Sequence, residues 1–217
     1  MPRRGRNRCR KRLDPGDFDQ PVANPYFPLV PGTVAFYRGS EDGERLFERL
    51  AITDRTRTIQ GIDAVVVRDV LRSGGIVRES TTDWYANDDA GNVWYFGERT
   101  ATFDEHGHLE SREGTWLAGV DGAVAGIIMP ADPHPTDAYR QERYLGHAED
   151  QAWIVQDGLR LRVAYGRVRH VVRSFEWTRL EPHVVSAKFY AKGLGIVREV
   201  DVAGGTEQLE LVRIEHH

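Results

Sequence analysis

Sulfur is scarce in this chain: 217 residues hold one cysteine and two methionines. The single thiol, Cys9, excludes an intrachain disulfide and any cysteine-based zinc site, and suits a reducing compartment. Long apolar runs are missing too. No segment is long enough to span a bilayer. The arginine-rich start runs into LDPGDFDQPV rather than an apolar stretch, so no secretory signal is read there, and the expected location is the cytoplasm. No 20–50-residue repeat and no alternation of strands with long helices occurs, which excludes solenoids and the Rossmann and TIM architectures. There is no Walker or dinucleotide fingerprint, because the glycines at 193 and 195 lead into a strand pattern rather than a helix. No nucleophile sits in a recognisable elbow, so Ser-His-Asp hydrolysis has no support. No cofactor is expected.

Charge is present but unevenly spread. Residues 1–13, MPRRGRNRCRKRL, carry seven bases and no acid, which leaves 22 bases against 33 acids in the remainder, a net of −11. Such an arm can dock on an anionic surface by displacing counterions. It has no aromatic side chain to stack on bases, and the plainer reading is a disordered, solvated tail. Residues 14–32 hold five of the ten prolines. Each removes a backbone donor and fixes φ, so this is an extended lead-in. The domain proper spans 33–217. Its 40% hydrophobic residues suffice for one core.

From Thr33 onward the pattern is strand, turn, strand. Two-residue alternation rich in Val, Ile, Thr and aromatics is cut by Gly, Asp and Asn every 8–14 residues or so, the hairpin signature. About twelve strands are expected. A meander this long must curl or close to protect its edges. The expected fold class is therefore all-β: a single antiparallel, strongly curved sheet or barrel with an apolar cavity.

Within that frame, Trp84, Trp94 and Trp116 lie on strands whose two faces both carry large rings. They are ordinary core rings or the walls of an apolar pocket. The run VDGAVAGIIMPADPHP, residues 120–135, is too rich in Gly and Pro for a regular strand. Exposing Ile127, Ile128 and Met129 to water is unfavourable, at roughly 25 cal/mol per Å². The expectation is an apolar plug across an open end of the sheet, with Ile128 and Met129 on a cavity wall. Residues 139–150, YRQERYLGHAED, are the densest in chemistry. Arg140 and Glu142 share a strand face, and Arg140 is the candidate to orient an acidic or carbonyl group. Glu142, His147 and Glu149 are the acid–base candidates; the alternative is a solvated edge with surface ion pairs. The histidines of DEHGHLE, 104–110, fit a plain hairpin tip better than a metal site.

One stretch, KFYAKGLGIVREV at 188–200, is similar to a motif near the end of many β-rich bacterial envelope proteins. Those resemble lipoprotein-carrier-like half-barrels, in which a curved sheet holds an acyl chain. NPYFPLVPGTVAFYRG, DWYANDDAGNVWYFGE and GIIMPADP resemble an uncharacterised, mostly actinobacterial family of such proteins, over residues 24–214. The resemblance implies an envelope or secreted location as the alternative to the cytoplasm, and it carries no established catalytic residues. The function expected is non-covalent binding of a hydrophobic, lipid-like or polyketide-like small molecule. The alternatives are a cofactor-independent cyclase or isomerase of a specialised-metabolite pathway, and a structural or partner-binding domain.

Overall fold

The structure, a computed structural model, describes residues 13–217. Residues 1–12 of the basic arm, with Cys9, lie outside the described residues. Five strands open the domain as a meander: β1 (Thr33–Glu41), β2 (Glu44–Ile59), β3 (Ile62–Ser73), β4 (Ile76–Asn87) and β5 (Val93–Arg99). The first three hairpins turn on two residues each, Asp42-Gly43, Gln60-Gly61 and Gly74-Gly75, all at positive φ. That is the turn type whose twist matches the strands it joins. Five strands close the chain: β12 (Gln151–Val163), β13 (Gly166–Trp177), β14 (Val185–Ala191), β15 (Gly195–Ala203) and β16 (Gln208–His216). Between the two groups lie β6 (Thr102–Phe103), β7 (Leu109–Ser111), β8 (Trp116–Leu117), β9 (Val124–Met129), β10 (Ala138–Arg140) and β11 (Glu142–Arg143).

The described residues are thus all-β, with sixteen antiparallel strands in one sheet and, among those residues, only a 3-10 turn at Pro15–Phe18 besides. Sixteen replaces the expected twelve mainly because the middle of the chain breaks into two- and three-residue pieces that carry no readable alternation. β16 pairs with β1, which joins the two meanders into the order β10-β12-β13-β14-β15-β16-β1-β2-β3-β4-β5-β9-β11. The sheet is unclosed, but its terminal strands β10 and β11 are successive in sequence, with only Gln141 between them. Arg140 pairs with Gln151 on one edge, and Glu142 with Ala125 on the other. The Gln141 N–H donates to the Asp150 carbonyl at 2.9 Å. Gly126 sits under this crossing, where a side chain would collide with the carbonyls of Arg140 and Gln141. The two edges are therefore held side by side.

The run 120–135 is not the expected plug. Val124–Met129 forms a strand, paired with β5 on one side and β11 on the other. The apolar residues are buried by a ladder rather than by a loop folded over an opening. The strand stops where Pro130 removes the next donor. Met129 is fully buried beside Val93 and Tyr190.

The lead-in does the capping instead. Asn24, buried, donates its side-chain amide to the carbonyls of Gly91 and Pro130, both at 2.8 Å, and accepts from the N–H groups of Tyr26 and Phe27 at 2.8 and 3.0 Å. The Gly193 N–H donates to the Pro25 carbonyl at 2.7 Å. Residues 24–29 are thus strapped to the β4–β5 turn, the end of β9 and the β14–β15 turn. Phe27 packs edge-on against Tyr85, with ring centroids 5.1 Å apart.

Candidate functional site

Residues paired across an antiparallel ladder project to the same face, so the registers show what the concave face carries. On β2 the sequence of inward positions is Leu46, Glu48, Leu50, Ile52; their partners on β3 are Ser73, Leu71, Asp69 and Val67. On β4 the same face carries Glu79, Thr81, Asp83 and Tyr85. Tyr37 of β1 pairs with Glu48, and on β14 and β15 Lys188 pairs with Glu199. The face is not uniformly apolar. Acids interrupt it: Glu48 on β2, Asp69 on β3, and Glu79 and Asp83 on β4, the first two each flanked by apolar residues on their own strand.

The apolar part of the face forms a recess of about 270 Å³, walled by Ala35, Tyr37, Leu50, Ile52, Val67 and Ile196 and roofed by Phe27–Val30 of the strap. That is nearly twice the roughly 150 Å³ apolar cavity that takes up benzene. Tyr37 marks its inner limit, with its hydroxyl donating to the Ile196 carbonyl at 3.1 Å.

Beyond that limit the acidic part begins. One chamber of about 190 Å³ is lined by Glu48, Asp69, Glu79, Glu199 and Glu207 with Leu71 and Leu209. A second, of about 610 Å³, shares Glu79 and adds Glu98, Glu142, His147, Asp150 and Glu181 among its lining. Lys188 is the one base that makes an ion pair here among the described residues: its Nζ lies 3.2 Å from Glu199 and 3.6 Å from Glu176. Glu176 is further fixed by the Tyr190 and Ser174 hydroxyls at 2.8 and 2.7 Å and by the Gln141 amide at 3.0 Å. Burial opposes the charge on Lys188, but Glu199 and Glu176 outweigh it and hold its pKa well above the ordinary lysine range.

The other carboxyls lack such a partner. Burial, more than any neighbouring charge, raises Glu48, Asp83 and Glu207 to about 7, Glu142 to about 8 and Glu98 to about 9. Asp69 rises well above the usual carboxylate range, from burial first and then from Glu48. The Tyr95 hydroxyl donates to Asp83 at 2.7 Å and offsets part of the burial effect. Chemically this is a proton-holding, acceptor-rich chamber behind an apolar recess. Among the described residues, no three His, Cys, Asp or Glu side chains converge closely enough to hold a metal ion.

The residues singled out from sequence do not come together in one place. Trp84 and Trp116 are buried in the core; the Arg57 guanidinium lies 4.3 Å over the Trp84 ring, and Trp116 meets Tyr95 edge-on at 5.2 Å. Met129 and the half-buried Ile128 also belong to packed clusters, and none of these four lines the apolar recess. Trp94 and the exposed Arg140 meet in a groove of about 280 Å³ along the seam between β9 and the β10–β11 crossing. The Trp94 indole is tied to Asp88 at 2.8 Å. Glu142 and His147 share the large acidic chamber, and His147 is stacked on Tyr144 at 4.3 Å. Glu149 is buried and accepts the Gly146 N–H at 2.8 Å, apart from that chamber's walls. His106 and His108 stand at an exposed hairpin tip, where His108 contacts Asp104 at 3.2 Å.

Sequence reasoning missed Lys188, Glu48, Asp69, Asp83, Glu98 and Glu199. The signal was there: in LFERLAI and VVVRDVL an acid takes an alternate position that should continue an apolar stripe.

No family model matches the chain, and no curated protein matches it. Two solved structures align with it. A Bacteroides fragilis protein described as exported and of YmcC-like fold aligns with a TM-score of 0.53 at 14% identity, over 89% of this chain and 100% of that one. A Parabacteroides distasonis protein described as a lipoprotein aligns with a TM-score of 0.48 at 9% identity, over the same shares. The first likeness shows the fold alone, and it agrees with the half-barrel character read from residues 188–200. No helix among the described residues is long and apolar enough to cross a membrane.

Proposed function

We propose that this protein binds an apolar small molecule non-covalently on the concave face of its sheet. The observation that carries the reading is the recess between Tyr37 and the Phe27–Val30 strap: about 270 Å³, with walls of Ala35, Leu50, Ile52, Val67 and Ile196. A recess of this make-up strips water from an apolar ligand, and each methylene buried contributes about 0.8 kcal/mol. The strap is tied down by single side chains and turns rather than by a ladder, so it is the element that yields when a ligand enters. A fold shared with a protein described as exported supports an envelope or secreted location.

The test is titration with Nile red, a neutral apolar fluorophore. Saturable enhancement is expected in the wild type. It is lost in Leu50→Lys, while thermal melting confirms that the variant remains folded. Wild-type protein that shows no saturable enhancement overturns the reading.

One observation favours a second reading, a cofactor-independent isomerase or cyclase. Glu142 holds its proton to about 8 in a chamber that also presents His147. A carboxyl poised near working pH suits general acid–base catalysis. A turnover assay in which Glu142→Gln keeps ligand affinity but abolishes reaction would establish it; unchanged turnover would remove it.

A further inference from the structure

We infer that the ligand is an apolar chain or ring carrying a cationic amine, with the amine seated among Glu48, Asp69 and their acidic neighbours. This rests on the apolar-ligand reading above and deepens it.

The recess and the acidic chamber share a wall one side chain thick. Tyr37 and Leu50 line the recess, and their direct cross-strand partners, Glu48 and Asp69, line the chamber. A molecule whose apolar body fills the recess therefore has its inner end beside Tyr37 and Leu50, and a head group that passes them enters the acidic chamber. Those carboxylates are short of positive charge. Lys188 is committed to Glu199 and Glu176, and no lysine or arginine among the described residues lies in ion-pair contact with Glu48, Asp69, Glu79, Glu98, Glu142 or Glu207. A buried anion without a partner is costly.

A second observation is independent of the clustering. The Oδ1 atom of Asp69 is inaccessible to solvent and has no hydrogen-bond partner. Its neighbour on the same face is Glu48, another carboxyl, so the only donor within the pair is a proton shared between the two. A proton fills that role when the site is empty. An ammonium group fills it better, because three N–H donors and a full charge meet several oxygens at once. A bare metal ion does not suit the spread of these groups, since no three converge on one point. An anionic head adds a further acceptor and a further negative charge to an acidic cluster and is disfavoured there. Fatty acids are thus the wrong class of amphiphile for this face, and the matching class is an amine with an apolar body.

Three probes of equal chain length decide it: octylamine, 1-octanol and octanoate, each titrated by calorimetry into the full-length protein at about neutral pH. A charge-assisted contact at a desolvated site is worth ten- to a hundredfold in affinity, roughly. Octylamine is expected to bind at least about tenfold more tightly than octanol, and octanoate more weakly than either. Because the amine replaces a proton, its binding releases protons: the heat depends on the buffer's ionisation enthalpy, and affinity rises with pH. Asp69→Asn with Glu48→Gln removes the preference for amine and leaves octanol binding in place. If octanol or octanoate binds as tightly as octylamine, the inference falls while the apolar-ligand reading stands. If none of the three binds, both fall. The wild-type comparison needs no variant, so a misfolded double variant does not rescue the idea.

Discussion

Four carboxyls on the strands and one in the β15–β16 connection hold their protons far above the ordinary range: Glu48, Asp83 and Glu207 to about 7, Glu142 to about 8 and Glu98 to about 9. In the unfolded chain the same groups titrate near 4, roughly. Between the two values the folded chain binds more protons than the unfolded one. Unfolding then releases protons, and stability falls as pH rises. The loss begins at about pH 4 to 5 and is complete for the first three groups just above about pH 7; Glu142 and Glu98 carry it on to about 8 and 9. This is the reverse of a salt-bridged carboxylate, which adds stability as pH rises.

For Glu48, moving from 4.5 to about 7 corresponds to about 3 kcal/mol. The five contributions are not independent. Each retained proton removes charge that a neighbour would otherwise feel, and the open acidic end admits water. One group's worth, about 2–4 kcal/mol, is therefore the expected change between about pH 5.5 and about pH 8.5. At about 2–4 °C per kcal/mol for a chain of this size, the melting temperature falls by roughly 5–15 °C. Differential scanning calorimetry at fixed ionic strength measures it. General repulsion in an acidic protein also grows with pH, so the assay includes Glu98→Gln and Glu48→Gln, which flatten the dependence only if these groups cause it. A melting temperature that is level or rises over this interval refutes the reasoning, and so does a fall that both variants leave unchanged.

Three further outcomes follow from particular contacts. Lys188→Met leaves Glu176 and Glu199 without their cation; removing one partner of a buried pair costs about 3–5 kcal/mol, and denaturant unfolding should show the loss shrinking at acidic pH, where Glu199, whose pKa burial raises, takes up a proton. Asn24→Ala removes four hydrogen bonds of the strap, which should cost about 2–4 kcal/mol and speed hydrogen exchange at Tyr26 and Phe27; unchanged exchange there would show that the strap is held by packing alone. Gly126→Val drives a side chain into the carbonyls of Arg140 and Gln141, and should abolish soluble folded protein by parting the two edges, whereas normal circular dichroism and melting would show that the seam is dispensable.

How much of this was legible beforehand depends on which physical signal each feature leaves in the chain. Three of the hairpins from β1 to β5 were readable because alternation and short turns are local: Asp42-Gly43 and Gly74-Gly75 punctuate the sequence where they turn the chain, whereas the Gln60-Gly61 turn between β2 and β3 was not read as one. The segment 120–135 misled because Gly and Pro density argues against a strand, while register is decided by partners far away. Gly126 is needed not for a turn but because the crossing of Gln141 leaves no room for a side chain.

The concave face was half legible. Alternation tells which residues share a face but not whether that face meets water, the core or a chamber, so Glu48 between Leu46 and Leu50 reads equally as a surface break in an apolar stripe. What separates these meanings is agreement between strands. Glu48, Asp69, Glu79, Asp83 and Glu199 come from four strands, and only the registers bring them to one face, with Glu48, Asp69 and Asp83 stepping diagonally across β2, β3 and β4. A single acid in an apolar stripe is tolerated for many reasons. The same interruption on three successive strands means that the face carries an acidic patch beside its apolar one, and a surface with both is a description of the molecule that complements it.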